Sequence, residues 1–183
     1  MRKVIAAFNM TLDGNCDHTA GIPDEGLHQH YAELIDHSGV ILYGRTTYQL
    51  MQFWQKLAPH PSGEKSMDDF ATSINTVEKL VFSNTLKDTG WESAKLANRP
   101  LENEVQELKK QPGKDILIGS RSLIIQLLNS NLVDELQICI HPVLEGKGLL
   151  LFDEIKDRIL LKLSTTKLLN SGAIVLVYEP IAP

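Results

Sequence analysis

The sequence predicts an α/β domain with a mixed, mainly parallel sheet and an antiparallel hairpin at its C-terminal end. Short apolar runs rich in β-branched residues alternate along the chain with longer segments whose apolar residues recur every three to four positions. No internal repeat interrupts this order. The last two apolar runs are joined by Asn170-Ser171-Gly172, which is typical of a hairpin turn. Together these observations indicate strands alternating with helices around one sheet.

The first half of the chain opens with a buried strand and a long polar stretch. In the helix that follows, Leu27, Tyr31 and Leu34 share one face, and Pro23 fits its first turn. Gly44 separates the second strand from the next helix. In order, we predict a strand over Lys3–Phe8, a loop over 9–21, a helix over Pro23–Asp36, a strand over Val40–Tyr43, helices over Arg45–Leu57 and Met67–Thr76, and a strand over Lys79–Phe82.

The second half continues the alternation. Pro112 and Gly113 end one amphipathic helix, and Asn129–Asn131 end the next, because asparagine tolerates the left-handed conformation found at helix C-termini. In order, we predict a weak strand over Glu92–Leu96, a helix over Leu101–Lys110, a strand over Asp115–Ile118, a helix over Ser122–Leu128, a strand over Glu135–Ile140, and final strands over Ile159–Leu168 and Ala173–Tyr178.

Length and composition indicate one globular domain over residues 1–183. Hydrophobic residues make up 43% of the chain and charged residues 22%, which suffices for a core and disfavours disorder. The net charge of −5 disfavours binding to nucleic acid or to an anionic membrane, because both need a basic surface. It does not exclude an anionic small ligand, for which a few local cations suffice.

The cysteine, hydropathy and histidine patterns bear on the redox compartment, membrane insertion and metal binding. Cys16 and Cys139 do not form a disulfide framework, so we expect a reducing cytoplasm. No stretch approaches the ~18 apolar residues of a membrane span, and the first residues lack the apolar run of a signal peptide. His28 and His30 stand two apart on a predicted helix and so do not share a face. We therefore predict no metal site.

Two junctions between a strand and a helix favour an anion site. Gly44-Arg45-Thr46-Thr47 and Gly119-Ser120-Arg121-Ser122 each place a glycine, an arginine and hydroxyl groups at a predicted helix start, where unpaired N–H groups attract phosphate. Phe82-Ser83-Asn84 adds polar groups after a third strand. The alternative is structural: a glycine turn capped by threonine at the first junction, and a helix capped by Ser120 or Ser122 at the second.

Five segments occur in an order found in a known superfamily. They are Val4–Ala7, Thr11–Gly14, Gly44–Tyr48, Phe82–Asn84 and Ile118–Arg121. This order resembles that of dihydrofolate reductase-like proteins. The segments Leu132–Leu136, His141–Gly148 and Leu151-Phe152 are similar, more specifically, to the C-terminal reductase domain of bacterial riboflavin biosynthesis proteins and its stand-alone relatives. The resemblance covers nearly the whole chain.

The resemblance implies a three-layer α/β/α fold and the cofactor NADPH. Ser120 stands where relatives usually carry glycine, and stretch 9–22 corresponds to a loop over the nicotinamide. The cofactor-binding positions implied by the resemblance are Ala6 and Ala7 beside the nicotinamide, Gly44, Arg45, Thr46, Thr47, Ser83 and Asn84 at the adenosine phosphate end, and Gly119, Ser120, Arg121, Ser122 and Leu123 around the pyrophosphate.

The implied activity is reduction of a small heterocyclic or ribosylamino substrate, as in 5-amino-6-(5-phosphoribosylamino)uracil reductase of riboflavin biosynthesis. A proton would come from water or from Asp24, Glu25 or His28. Two alternatives remain: a dihydrofolate reductase-like enzyme acting on a pterin, and a non-catalytic nucleotide-binding protein that kept the fold. The apolar C-terminal strands offer an edge to a second subunit, so we expect a homodimer.

Overall fold

The computed structural model describes residues 1–181. Its elements are, in order, β1 (Val4–Thr11), α1 (Glu25–Asp36), β2 (Ser38–Gly44), α2 (Arg45–Leu57), α3 (Lys65–Thr76), β3 (Glu78–Phe82), β4 (Ala94–Leu96), α4 (Leu101–Lys110), β5 (Asp115–Ile118), α5 (Arg121–Asn129), β6 (Glu135–His141), β7 (Leu161–Leu168) and β8 (Ile174–Pro180). This alternation confirms the predicted α/β class.

A single eight-stranded sheet has the order β4-β3-β2-β5-β1-β6-β8-β7. Strands β1 to β6 pair in parallel, while β8 runs antiparallel to both β6 and β7. Parallel neighbours need a crossover, and the helices between them supply it. The predicted C-terminal hairpin is therefore confirmed, with β7 as the outer edge.

Helices cover both faces of the sheet, which gives the three layers. Strand residues alternate between the faces, so Ala6 packs under α4 and α5 while Ala7 packs under α1, α2 and α3. A third cluster lies under the first turn of α1, where Leu27 contacts Cys139 and Val175. The cover is incomplete, since every residue of β7 is exposed.

Several predicted boundaries need correction, among them the following three. Strand β1 continues past Phe8 to Thr11, because its last residues pair with β6 up to Thr11 opposite His141. Helix α1 begins at Glu25, and Pro23 lies before the capping residue rather than in the first turn. Strand β7 begins at Leu161, two residues later than predicted.

The stretch after β1 is bound to the stretch after β6. The backbone of residues 11–16 exchanges hydrogen bonds with the backbone of residues 143–151, for example from Cys16 N–H to the Leu149 carbonyl at 2.7 Å. The Asp13 carboxylate accepts the N–H groups of Glu145 and Gly146. The predicted loop over 9–21 is therefore partly strand and partly a segment paired with a second loop.

Candidate functional site

The candidate site lies where β2 and β5 end and α2 and α5 begin. The two strands are neighbours in the sheet, and their carboxyl ends carry the two predicted junctions. In open α/β sheets, ligands bind at the carboxyl ends of strands, beside the starts of the following helices. The fold thus brings Gly44 and Gly119 to the same edge, as the sequence predicts.

Helices α2 and α5 differ from the other three helices in having no acidic residue in their first turn. Like α3 and α4, they also lack a side-chain hydrogen bond at the N-cap. Helix α1, in contrast, has Asp24 as a hydrogen-bonded cap and Glu25 in its first turn. Free N–H groups and a positive dipole end favour an anion. Two such starts side by side suit a diphosphate.

Ser120 connects the two junctions. Its side chain is buried, and its hydroxyl oxygen accepts the N–H of Gly44 at 2.9 Å. Ser122 Oγ lies 3.4 Å from the point that a Cβ on Gly44 would occupy. The Ser120 side chain therefore links the two helix starts by a hydrogen bond. It also removes the Gly44 N–H from the groups open to a ligand.

Arg45 stands exposed at the first position of α2. Its guanidinium donates to Thr85 Oγ1 at 2.8 Å. Ser83 Oγ accepts the N–H groups of Thr85 and Leu86, so this hydroxyl orders the turn, while Asn84 is exposed. These residues form one end of the candidate site, with Arg45 as its cation.

Arg121 points away from the helix start on which it stands. Its guanidinium donates to the Leu150 carbonyl at 2.8 Å and pairs with the carboxylates of Asp153 and Glu154. Both carboxylates lie more than thirty residues along the chain, so no local pattern reveals them. The sequence predicts that this side chain lies at a pyrophosphate. To reach a ligand there, Arg121 would have to leave its two acidic partners.

The remaining predicted cofactor residues differ in exposure. Ala6 and Ala7 are buried on opposite faces of β1, and their place beside the nicotinamide stays a prediction. Leu123 belongs to the core under α5. Thr46 is exposed and Thr47 half-buried in the first turn of α2. Of these residues, the two threonines are the ones whose side chains can reach a ligand.

The three predicted proton donors all lie at the start of α1. The Asp24 carboxylate accepts the N–H groups of Leu27 and Ser171. Burial opposes its ionisation, but these hydrogen bonds outweigh burial and lower the pKa of Asp24. Glu25 is exposed. His28 packs edge-on against Trp54, and burial lowers its pKa. Asp24 is thus an ionised cap in this structure, and its role as a proton donor stays a prediction.

Sequence reasoning missed a polar group on the α1 side of β1 and β6. The Tyr31 hydroxyl donates to Asn9 Oδ1 at 2.9 Å. Asn9 and Cys139 are paired across the two strands, as are Thr11 and His141. A histidine at the end of a strand was the available signal, but strand pairing is needed to place it beside β1. Within residues 1–181, no three His, Cys, Asp or Glu side chains are grouped to hold a metal ion.

His141 is 1% exposed and has one well-bonded nitrogen. The N–H of Ile22 donates to Nδ1 at 3.2 Å, so Nε2 carries the proton of the neutral ring. The nearest partner of Nε2 is the Cys139 thiol at 4.0 Å, and a Cβ on Gly21 would come within 3.0 Å. Burial lowers the pKa of His141, although the negative charge of Asp24 acts to raise it. The ring is therefore a neutral donor with a weak partner.

Replacing His141 with phenylalanine should release the segment that covers it. The Ile22 N–H then loses its acceptor, which is worth about 1 kcal/mol, so its hydrogen exchange should become faster by about five- to tenfold. Amide exchange measured by NMR checks this result. Cys139→Ala, which alters the neighbouring buried side chain but spares the acceptor, should leave Ile22 protected. Unchanged exchange in the His141 variant would contradict the assigned hydrogen bond.

Comparison with known proteins places these features in a family. The model of the RibD C-terminal domain matches residues 2–176. The curated protein YyaP of Bacillus subtilis, described as uncharacterized, is 34% identical over 186 residues, covering 97% of this chain and 95% of that protein.

Solved structures share the fold at low sequence identity. A Shewanella sp. PV-4 protein named for riboflavin biosynthesis has a TM-score of 0.75 at 18% identity, covering 98% of this chain and 99% of that one. RibD of Acinetobacter baumannii has a TM-score of 0.69 at 16% identity, covering 100% of this chain and 59% of that one.

Among residues 1–181, no helix has the length and apolar character needed to cross a bilayer.

The family match extends from before β1 into β8 and so includes both helix starts of the candidate site. The solved relatives share this fold. The chain therefore belongs to the RibD C-terminal domain family.

Proposed function

We propose that this protein is an NADPH-dependent reductase of a small heterocyclic or ribosylamino substrate. One observation carries the proposal: α2 and α5 start side by side, without side-chain caps or first-turn acids, at the carboxyl ends of adjacent strands. A Thermotoga maritima relative, with a TM-score of 0.68 and 14% identity over 57% of that chain, is named a 5-amino-6-(5-phosphoribosylamino)uracil reductase with a deaminase. That name supports a substrate of this class here.

The residues at the helix starts fit NADPH. The first-turn N–H groups of α2 and α5 would hold the diphosphate, and Arg45 and Thr46 would hold the adenosine 2′-phosphate. When bound, the cofactor supplies a hydride to a C=N or C=O carbon of the substrate. The protein's part is to orient both molecules and to exclude water.

The group around His141 suits the uncharged, planar ring of a heterocyclic substrate. The Asn9 amide, the Tyr31 hydroxyl and the His141 ring carry no charge at neutral pH and share one face of the sheet. A carbonyl or ring nitrogen could accept a hydrogen bond from His141 Nε2 once residues 20–22 move aside. Hydride addition to carbon leaves a pair of electrons on the neighbouring nitrogen or oxygen, and water supplies the proton that completes the reduction.

Replacing Arg45 with alanine should weaken NADPH binding by about tenfold and NADH binding by less than about twofold, because only NADPH carries the 2′-phosphate. Titration of both cofactors by protein fluorescence checks the ratio. Lys56→Ala removes an exposed cation from the last turn of the same helix and should change neither affinity. Failure of the unaltered protein to bind NADPH at ~100 μM would contradict the proposed function.

A second candidate function is nucleotide binding without turnover. It is favoured by the engagement of Arg121 with Asp153 and Glu154 and by the ionised, hydrogen-bonded state of Asp24. Oxidation of NADPH followed at 340 nm with a ribosylaminouracil phosphate, dihydrofolate and a ribosylamine distinguishes the two. Turnover of any of them supports the reductase, whereas tight NADPH binding with no turnover supports the second candidate.

A further inference from the structure

Arg121 is the first residue of α5, and its guanidinium is bound by the segment that follows β6. Its Nε donates to the Leu150 carbonyl at 2.8 Å, and its Nη2 contacts the carboxylates of Asp153 and, at 3.0 Å, Glu154. The arginine side chain is 15% exposed, whereas the side chains of Asp153 and Glu154 are 43% and 66% exposed. The cation is therefore shielded from water by two carboxylates that remain open to it.

This arginine stands at one of the two helix starts of the candidate site. Its backbone belongs to the first turn of α5, which has no acidic residue. Ser120, just before it, accepts the N–H of Gly44 at the start of α2. A long arginine side chain passes between rotamers without movement of the backbone. The guanidinium can therefore leave the carboxylates and turn toward a ligand that lies on its own helix turn.

A diphosphate can replace the two carboxylates as the partner of Arg121. The planar guanidinium pairs with carboxylate and with phosphate through the same fork of N–H groups. Arginine also stays protonated in proteins, so it carries its charge in either arrangement. A diphosphate brings two adjacent anionic groups, as Asp153 and Glu154 do. The exchange therefore keeps the arginine paired, whereas breaking a shielded ion pair without a replacement is costly.

We propose that Asp153 and Glu154 act as a gate on this helix start: they hold Arg121 until a ligand with two adjacent phosphates takes their place. The gate rests on the proposed function for the identity of the cofactor as its natural ligand, and it applies to any diphosphate. Because only the fraction of molecules with Arg121 released binds at full strength, the measured affinity is lower than the intrinsic affinity by that fraction. The two carboxylates thus regulate how tightly the cofactor is held.

The segment that carries the gate has an anchor of its own. Asn129, the last residue of α5, donates from Nδ2 to the Glu154 carbonyl at 3.1 Å, and its Oδ1 accepts the N–H of Lys156 at 3.0 Å. The backbone at residues 149–151 is also paired with the loop after β1. These bonds do not involve Arg121, so they keep the two carboxylates within reach after the arginine has left. The exchange is therefore reversible.

The partners of Arg121 also form part of the wall of a cavity. Leu150 and Asp153 line a space of about 410 Å³ together with Met10 of β1 and Gly14 of the loop after it. Release of the arginine removes a contact from both wall residues, so a ligand at the helix start changes their surroundings. The Leu150 carbonyl, which loses its hydrogen-bond donor, consequently reports whether the gate has opened.

The NMR signal of the Leu150 carbonyl carbon tests the gate in the unaltered protein. This signal depends on the hydrogen bond from Arg121 Nε, and Arg121→Ala shows the position that it takes without the bond. Saturation with inorganic pyrophosphate, and separately with NADPH, should move the signal of the unaltered chain toward that position. If a ligand binds while the signal stays where it is in the free protein, Arg121 has not left its partners and the gate is overturned.

Removing the two negative charges should raise the affinity for a diphosphate. In the double variant Asp153→Asn and Glu154→Gln, the dissociation constant for pyrophosphate should fall about three- to tenfold, the size expected from two partly exposed ion pairs. Titration calorimetry measures this change. Asn129→Ala is the matched control, because it loosens the same segment without changing its charge, and it should leave the dissociation constant unchanged. Unchanged or weaker binding by the double variant overturns the gate.

The two measurements separate the gate from plain charge repulsion and from the proposed function. Repulsion between the carboxylates and a bound phosphate would raise the affinity of the double variant but leave the Leu150 signal in place, and this combination overturns the gate. If pyrophosphate moves the signal and NADPH does not bind, the gate stands and the reductase proposal fails. If NADPH binds and the signal stays, the gate fails and the reductase proposal stands. Absence of binding by both ligands at about 1 mM overturns both proposals.

Discussion

Replacing Lys79 with methionine is expected to remove a contribution to stability that rises between pH 8 and pH 10.5 in the unaltered protein. Lys79 stands in β3 and is fully buried. Its ammonium group donates to the Val77 carbonyl at 2.8 Å and to Ser93 Oγ at 2.7 Å, and lies 4.2 Å from the centre of the Trp91 ring. None of these partners is a carboxylate, so the charge is buried with partial compensation only.

Burial lowers the pKa of Lys79 to about 8. The pKa of this group in the unfolded chain is about 10.4, so between these values Lys79 binds more protons in the unfolded state and its contribution to stability increases with pH. The full increase is about 3 kcal/mol for a shift of this size. It is present above the unfolded pKa and is lost as pH falls through the folded pKa.

Urea unfolding from pH 7 to pH 10.5 measures this effect. The difference in unfolding free energy between the unaltered chain and Lys79→Met should change by about 3 kcal/mol over that range. Loss of the hydrogen bonds to Val77 and Ser93 adds only a constant offset. Lys87→Met, at an exposed position, should give no such change. Parallel curves for the unaltered chain and the Lys79 variant would show that the amine is not held in a desolvated site.

The order of strands and helices could be predicted because each depends on a local pattern. Continuous apolar runs identified β2 and β5, and a turn sequence identified the terminal hairpin. The burial of Lys79 could not be predicted from the sequence, because a lysine at the start of a strand is ordinarily exposed. Its environment is made by Trp91 and Ser93 from the following connection.

The same distinction applies to the candidate site. Both helix starts could be predicted, since glycine followed by polar residues after an apolar run is a local signal, and parallel pairing of β2 with β5 brings them together. The hydrogen-bond and ion-pair partners of Arg121 and Asp24 could not be predicted from the sequence. Arg121 contacts Asp153, and Asp24 contacts Ser171 across 147 positions of the chain. The side chains with the clearest local signal for chemistry were thus the ones already engaged in distant contacts.

Replacing Gly119 with alanine should lower the free energy of unfolding by about 1–3 kcal/mol in the absence of any ligand. A Cβ at this position would lie 2.6 Å from Cε1 of Tyr43, whose ring is buried. The glycine follows β5 directly, and its N–H donates to the Leu42 carbonyl at 3.2 Å, so the backbone cannot move aside without losing that bond. A role in approaching a cofactor would instead predict a folded variant of normal stability that binds NADPH weakly.

A double-mutant cycle with Tyr43→Leu separates these explanations for Gly119. If the aromatic ring is the obstacle, Gly119→Ala should destabilise the Tyr43→Leu protein by at least about 1 kcal/mol less than it destabilises the unaltered chain. Gly26→Ala is the matched control, because its Cβ would meet neighbours at ordinary distances of 3.6 Å or more in α1. That substitution should leave stability unchanged or slightly raised. If the two stability effects are additive and Gly119→Ala selectively weakens NADPH binding, the glycine serves cofactor binding. If the two effects are coupled, the glycine serves the packing of β2 against β5.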